Sequence, residues 1–370
     1  MVSLNARIVQ SNALAVCGAC ASYGGCQEDS VSRGPKLSDV AAAAKVHQST
    51  ASRALDPNLS RRLSPEVVER VRRIADELGY SRNAIAASLR MQRSRMVGVI
   101  VPDLTNTMFP PMFRGIEDRL STEGYSAILA NSDFRPAKER SIIDTYLDRR
   151  LDGMILASAH LEDAEQLEAL ARKVPVVLMN REIADASVTA VIGDDAGGIS
   201  EMFAHLAGLG HERIAHIAGP QDTSTGVARR DAFLAAARKA ARGFDGRLLV
   251  AAETYSEREG YRCARHLLEA GGGPTAILAA NDWLAIGCLT AIEEAGLNCP
   301  QDISVTGFND MPFADRMRPP LTTIRIPHYR MGFEAADHLL ALIAAPETTP
   351  TRVVMPPALI VRGSTAQRGG

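Results

Sequence analysis

Residues 37–56 read Leu-Ser-Asp-Val-Ala-Ala-Ala-Ala-Lys-Val-His-Gln-Ser-Thr-Ala-Ser-Arg-Ala-Leu-Asp, two short helical runs around a tight turn. In the first run Val40, Ala41 and Ala44 recur at helical spacing, and Ser38 is placed to cap the start. Lys45, Val46 and His47 make the turn, with Val46 the apolar residue that pins one helix to the other. The second run turns Ala51, Ala54 and Leu55 inward and presents Gln48, Ser49, Thr50, Ser52 and Arg53. Hydrogen-bonding side chains at the start of such a helix suit base edges in a DNA major groove. A plain helical hairpin fits the same pattern, so the neighbouring sequence has to decide.

After it, Ser64-Pro65 opens another helix, in which Val67, Val68, Val71, Ile74, Ala75 and Leu78 keep helical spacing up to Gly79. That completes a three-helix unit with a small core of its own. Charge divides the chain at the same place. Residues 34–95 carry 12 Lys/Arg and 6 Asp/Glu, whereas residues 96–370 carry 27 and 35. The net charge of −2 therefore conceals a basic head on an acidic body. Phosphate contacts supply most of the affinity of a DNA-binding module, so a small basic domain is the expected footprint.

The body alternates strands and helices. Met96–Val101 reads as a buried strand, 112–122 as a helix, 126–130 as a strand, 137–149 as a helix and Gly153–Leu156 as a strand. The alternation continues to a strand at 276–279, the rhythm of parallel sheets covered by helices on both faces. At 370 residues and 46% hydrophobic, the chain can bury a large core in two or three domains. No apolar run reaches the roughly 18 residues of a membrane helix.

Enzyme chemistry finds little support. No Gly-x-Gly-x-x-Gly follows a strand, and Gly271-Gly272-Gly273-Pro274 precedes one instead of opening a helix. His211 reads as a turn residue, and no nucleophile–base set stands out. Cys17, Cys20 and Cys26 form a C-x2-C-x5-C cluster without a fourth ligand nearby, so neither a metal nor another cofactor is expected. Cys263, Cys288 and Cys299 read as reduced thiols. Residues 1–33 are too interrupted by Asn5, Arg7 and Gln10 for a signal peptide, and read as a disordered extension of a cytoplasmic protein.

Ten landmarks make a resemblance specific. They are Asp39-Val40-Ala41, Ser52-Arg53, Leu78-Gly79-Tyr80, Asn83-Ala84, Ser88-Leu89, Asp152-Gly153, Leu209-Gly210-His211, Ala280-Asn281-Asp282, Pro320-Leu321-Thr322-Thr323 and Val361-Arg362-Gly363-Ser364. In this order, from about residue 37 to 364, the chain resembles the LacI/GalR family of bacterial transcription repressors. The resemblance implies an N-terminal all-α helix-turn-helix headpiece (34–80), a hinge helix and linker (81–96), and an α/β two-lobed effector domain of periplasmic-binding-protein type (97–364). Lobe one would span 97–193 plus 324–350, and lobe two 194–323 plus 351–364, leaving 365–370 as a tail.

The resemblance also implies roles. Gln48, Ser49 and Arg53 would read bases, and Thr50 and Ser52 would hold phosphates. In the hinge, Asn83 and Ala86 would lie at the DNA, with Leu89 wedged into the minor groove. Two departures stand out: Lys45 where relatives commonly have Gly, and Arg82 where they often have Pro. In the cleft, Phe109, Asn180, Arg229, Tyr255, Asn281 and Asn309 match effector contacts. Asn180 and Asn309 stand where relatives carry Asp, so a sugar acid held by Arg229 is favoured over a neutral sugar. The expected protein is a homodimeric repressor of a carbohydrate-use operon, binding pseudo-palindromic operator DNA and no membrane. It would lack the family's tetramer-forming tail. The alternative is a stand-alone sugar-binding protein of the periplasmic type, which the basic headpiece disfavours.

Overall fold

The computed structural model describes residues 35–56, 60–80, 93–184, 186–240, 245–269 and 273–368. The chain divides near residue 84 into two compact units.

In the first unit, α1 (Leu37–Ala43), α2 (Gln48–Ala54) and α3 (Pro65–Glu77) enclose a core of Val40, Ala41, Ala44, Ala51, Ala54, Val71 and Ala75. Alanines on all three helices let the backbones approach closely, and half-buried Val46, Leu55 and Tyr80 close the edges. Pro65 sits at the first position of α3, where its missing N–H costs nothing. Gly79, at φ +63, ends the helix, and the Tyr80 N–H reaches back to the Ala75 carbonyl at 2.8 Å.

The second unit carries two parallel sheets. The first has strand order β11-β5-β4-β3-β1-β2, built from β1 (Met96–Val101), β2 (Ser126–Asn131), β3 (Gly153–Leu156), β4 (Val176–Met179), β5 (Thr189–Gly193) and β11 (Arg352–Met355). The second has order β7-β6-β8-β9, from β6 (Ile214–Ala218), β7 (Leu249–Ala251), β8 (Ala276–Ala279) and β9 (Ser304–Thr306). A short antiparallel pair joins β10 (Thr323–Arg325) to β12 (Ala358–Ile360), the last strand of the chain. β3, β4, β5, β6 and β8 are buried along their whole length, which explains their predominantly apolar runs, interrupted by Thr189 and His216.

The first sheet is covered by α4 (Phe109–Thr122), α5 (Pro136–Asp148), α6 (Ala164–Ala171) and the late helix α11 (His328–Ala344). A Cβ on Gly115 would lie 2.1 Å from the Tyr329 carbonyl, and one on Gly332 1.9 Å from that of Met112. Glycine at both positions lets α4 and α11 cross backbone to backbone, which packs residues 328–344 on the first sheet. The second sheet is covered by α7 (Asp195–Gly208), α8 (Ser224–Lys239), α9 (Glu257–Glu269) and α10 (Asp282–Glu294).

One expectation needs correcting. The resemblance puts residues 351–364 whole in the second lobe, but Arg352–Met355 pairs in parallel with β5 in the first sheet. After α11 the open edge of β5 takes the next strand. Only β12 and the residues after it return to the second lobe. Nor does the end of the described chain hang loose. The Ser364 hydroxyl donates to the Val305 carbonyl, and the His211 imidazole meets the Ala366 carbonyl at 3.1 Å. The chain thus passes between lobes at 193–195, 325–328 and 355–358. Among the described residues no helix is long and apolar enough to cross a membrane, and no cluster could hold a metal.

Candidate functional site

The headpiece offers one face. Ala51 and Ala54 are buried against α3, and helical geometry therefore turns Gln48, Ser49 and Arg53 out to solvent, with Thr50 and Ser52 half-buried. Ser38 does not cap α1. It lies inside the helix, and the Asp39 carboxylate takes the Lys36 N–H at 2.8 Å instead. The side-chain cap in this motif is His47: its Nδ1 accepts the Ser49 N–H at 3.2 Å. That nitrogen is then unprotonated, so the Ser49 hydroxyl, 2.8 Å away, donates to it and keeps its lone pairs for another donor. Lys45 adopts φ +50, the left-handed turn its position requires. Arg82, Asn83, Ala86 and Leu89 lie outside the described residues.

The second unit holds a cavity of about 220 Å³ between its lobes. Phe109, Asn180, Arg229, Tyr255, Asn281 and Asn309 all line it. Phe109 begins α4 and Asn180 follows β4; on the other side Arg229 lies on α8, Tyr255 precedes α9, Asn281 follows β8 and Asn309 follows β9. These are carboxyl ends of parallel strands and the helix starts beside them, where open α/β sheets gather ligands. Loop contacts bridge the cleft: the Leu161 N–H donates to the Asp222 carbonyl at 3.0 Å, and the Glu182 N–H to the Ser224 hydroxyl at 3.0 Å. The His160 ring meets the Asp222 carboxylate at 3.1 Å beside them.

Several of these side chains are already occupied. Arg229 is 4% exposed, ion-paired with Asp195 at 2.6 Å, bonded to the Ala280 carbonyl, and stacked 3.8 Å over Phe308. Burial pushes the Asp195 carboxyl up, against the pull of Arg229. Asn281 caps α10 by accepting the Leu284 N–H at 2.9 Å, and the Tyr255 hydroxyl meets that of Thr225. Asn180 and Asn309 sit at φ +68 and +110, strain that the surrounding strands impose at the cavity wall. The buried Asn309 Oδ1 meets no donor among the described residues.

Sequence reasoning missed three contributors. Asp195 answers the charge of Arg229, and its signal was the Asp194-Asp195 pair at the start of α7. Phe134, 43% exposed and at φ +55, stands at the cavity wall. Arg181, directly after Asn180, lines the cavity while only 4% exposed.

The comparisons agree with both halves of this geometry. Residues 36–83 match the family of bacterial regulatory proteins, lacI family, and residues 203–365 match the periplasmic binding protein-like domain. HTH-type transcriptional regulator DegA of Bacillus subtilis (strain 168) is 30% identical over 332 residues, 89% of this chain and 97% of that protein. The ribose operon repressor of Escherichia coli (strain K12) is also 30% identical, over 89% of this chain and 99% of its own length. The lac repressor dimer bound to operator and the anti-inducer ONPF superposes with a TM-score of 0.79 at 26% identity, over 90% of this chain and 100% of that one. The chain belongs to the LacI family. It is a DNA-binding transcriptional regulator with a helix-turn-helix domain and a periplasmic-binding-protein-like domain, and its named relatives are regulators, not enzymes.

Proposed function

We propose that the protein is a cytoplasmic homodimeric repressor of a carbohydrate-use operon. It reads a pseudo-palindromic operator through Gln48, Ser49 and Arg53, with Thr50 and Ser52 on phosphates and Asn83, Ala86 and Leu89 at the hinge. A small sugar or sugar acid in the inter-lobe cavity switches that binding. The observation carrying this reading is that the six residues that match the family's effector contacts, spread over some 200 positions, line one cavity. A volume below the roughly 300–1,000 Å³ of drug-sized pockets supports a small ligand. The lobes supply the switch, because a ligand that touches both favours one arrangement of three crossing segments over another.

The test is a gel shift with operator candidates from DNA beside the gene, repeated with added sugars and sugar acids. Binding to a palindromic site, altered by one of these additions, is the expected result. Absence of any sequence-preferring complex would overturn the regulatory reading.

A further inference from the structure

The cavity contains two buried arginines in opposite electrostatic conditions. Arg229 has its carboxylate in Asp195 at 2.6 Å. Arg181 has none: among the described residues no carboxylate comes within ion-pair distance of its guanidinium. Its protein bonds are donated by one nitrogen to two main-chain carbonyls, Ser158 at 3.1 Å and Ala159 at 3.3 Å. Asp222, Glu139 and Asp163 act on it only at longer range. A buried cation without a counter-ion is costly, because the low-dielectric surroundings replace hydration with little. The one carboxylate among the described lining residues, Asp103, is engaged through Oδ1 by the Thr105 N–H and hydroxyl.

From this contrast we infer that Arg181, not Arg229, selects the ligand's charge, and that the effector carries an anionic oxygen group, carboxylate or phosphate ester, seated on the Arg181 guanidinium. The inference rests on the effector reading above and narrows it. Arg229 keeps a positioning role, held rigid by Asp195 and Phe308 where it can meet a hydroxyl. The remainder of the ligand fits a polyol body. Asn180, Asn281 and Asn309 offer amides around it, and Phe109 and Tyr255 offer flat faces to C–H groups. A planar guanidinium with free N–H groups binds either anion in a two-point geometry.

The experiment is calorimetry on the full chain with matched sets in the gluco, galacto and manno series. Each set holds the neutral hexose, its aldonate, its uronate and its 6-phosphate. In at least one series an anionic member binds at least tenfold tighter than the neutral sugar, and the aldonate, uronate and phosphate arms identify the group. Arg181→Gln removes that preference, and Arg181→Lys retains part of it. Ligand-free Arg181→Gln melts within about 2 °C of the parent, whereas a merely structural clamp on the two carbonyls would lower the transition by about 5 °C or more.

Three results would each overturn the inference: a neutral hexose binding as tightly as its acids, an anion binding Arg181→Gln with unchanged affinity, or no anionic member binding at all. The operator gel shift is a separate measurement. A chain that binds acids through Arg181 but no DNA refutes the regulatory reading alone.

Discussion

The headpiece and the inter-lobe cavity place functional side chains by opposite means. In the headpiece a core of five alanines and two valines holds three short helices, and whatever does not face that core is presented outward. Neighbours in sequence are neighbours on the surface. In the cavity the six expected wall residues come from six separate places in the fold, and some are held by contacts distant in the chain, such as Arg229 to Asp195 across 34 residues. The first arrangement tolerates exchange of its outward residues at little cost to folding. The second couples a side chain with a buried partner, such as Arg229, to the stability of the body.

The largest expected effect breaks the cavity side of this comparison. Asp195→Ala leaves Arg229 charged and buried without its carboxylate, and removing one member of such a pair costs about 3–5 kcal/mol. Urea unfolding of the full chain should show an earlier transition for the body. An unchanged midpoint would mean that water reaches Arg229.

Acid comes next. Burial pulls His216 and His328 down to about 4, and the Nε2 of each meets no partner among the described residues. Both stay neutral when folded but protonate near 6.5 when unfolded, so stability is lost as pH falls from about 6.5 towards 4. Asp282, pushed up to about 7 by burial, has the opposite slope: its folded state holds a proton that the unfolded state releases, so it favours the fold as pH falls from about 7. Two histidines outweigh one carboxyl. Replacing His216 by Gln should flatten the curve of urea midpoint against pH between 4 and 6.5, and an undiminished slope would place the acid sensitivity elsewhere.

The headpiece responds in binding instead of stability. Arg53→Ala should weaken operator binding by about 1–3 kcal/mol and relax preference at one base pair, with no shift in melting. Equal weakening on every sequence, with a shallower salt dependence, would make Arg53 a phosphate contact.

The smallest effect concerns the turn. Lys45 sits at φ +50 at a conformational cost that Gly avoids. Lys45→Gly should stabilise the headpiece by up to about 1 kcal/mol, partly offset by the greater freedom of Gly in the unfolded chain. Hydrogen exchange of α1 and α2 amides reads this directly, and faster exchange would sink the argument.

What could be read without the structure follows the same division. The inward set Val40, Ala41, Ala44, Ala51 and Ala54 was legible because helical period is a local property, and it determined which side chains face out. The six cavity residues were legible through the family resemblance, and Asn180, Asn281 and Asn309 also as positions after strands, since parallel sheets gather their carboxyl ends. Their partners were not. Ser38 looked like a cap until Asp39 was seen taking the Lys36 N–H, and Arg352–Met355 looked like part of the second lobe until β5 offered it an edge.

By itself, then, the sequence determined a basic helical reader, an α/β body and the roster of one wall-lining set. Only the tertiary structure decided that Arg229 is neutralised and Arg181 is not. Periodicity and motif order are carried by neighbouring residues, whereas the charge a buried arginine offers a ligand depends on which carboxylate the fold brings within 3 Å.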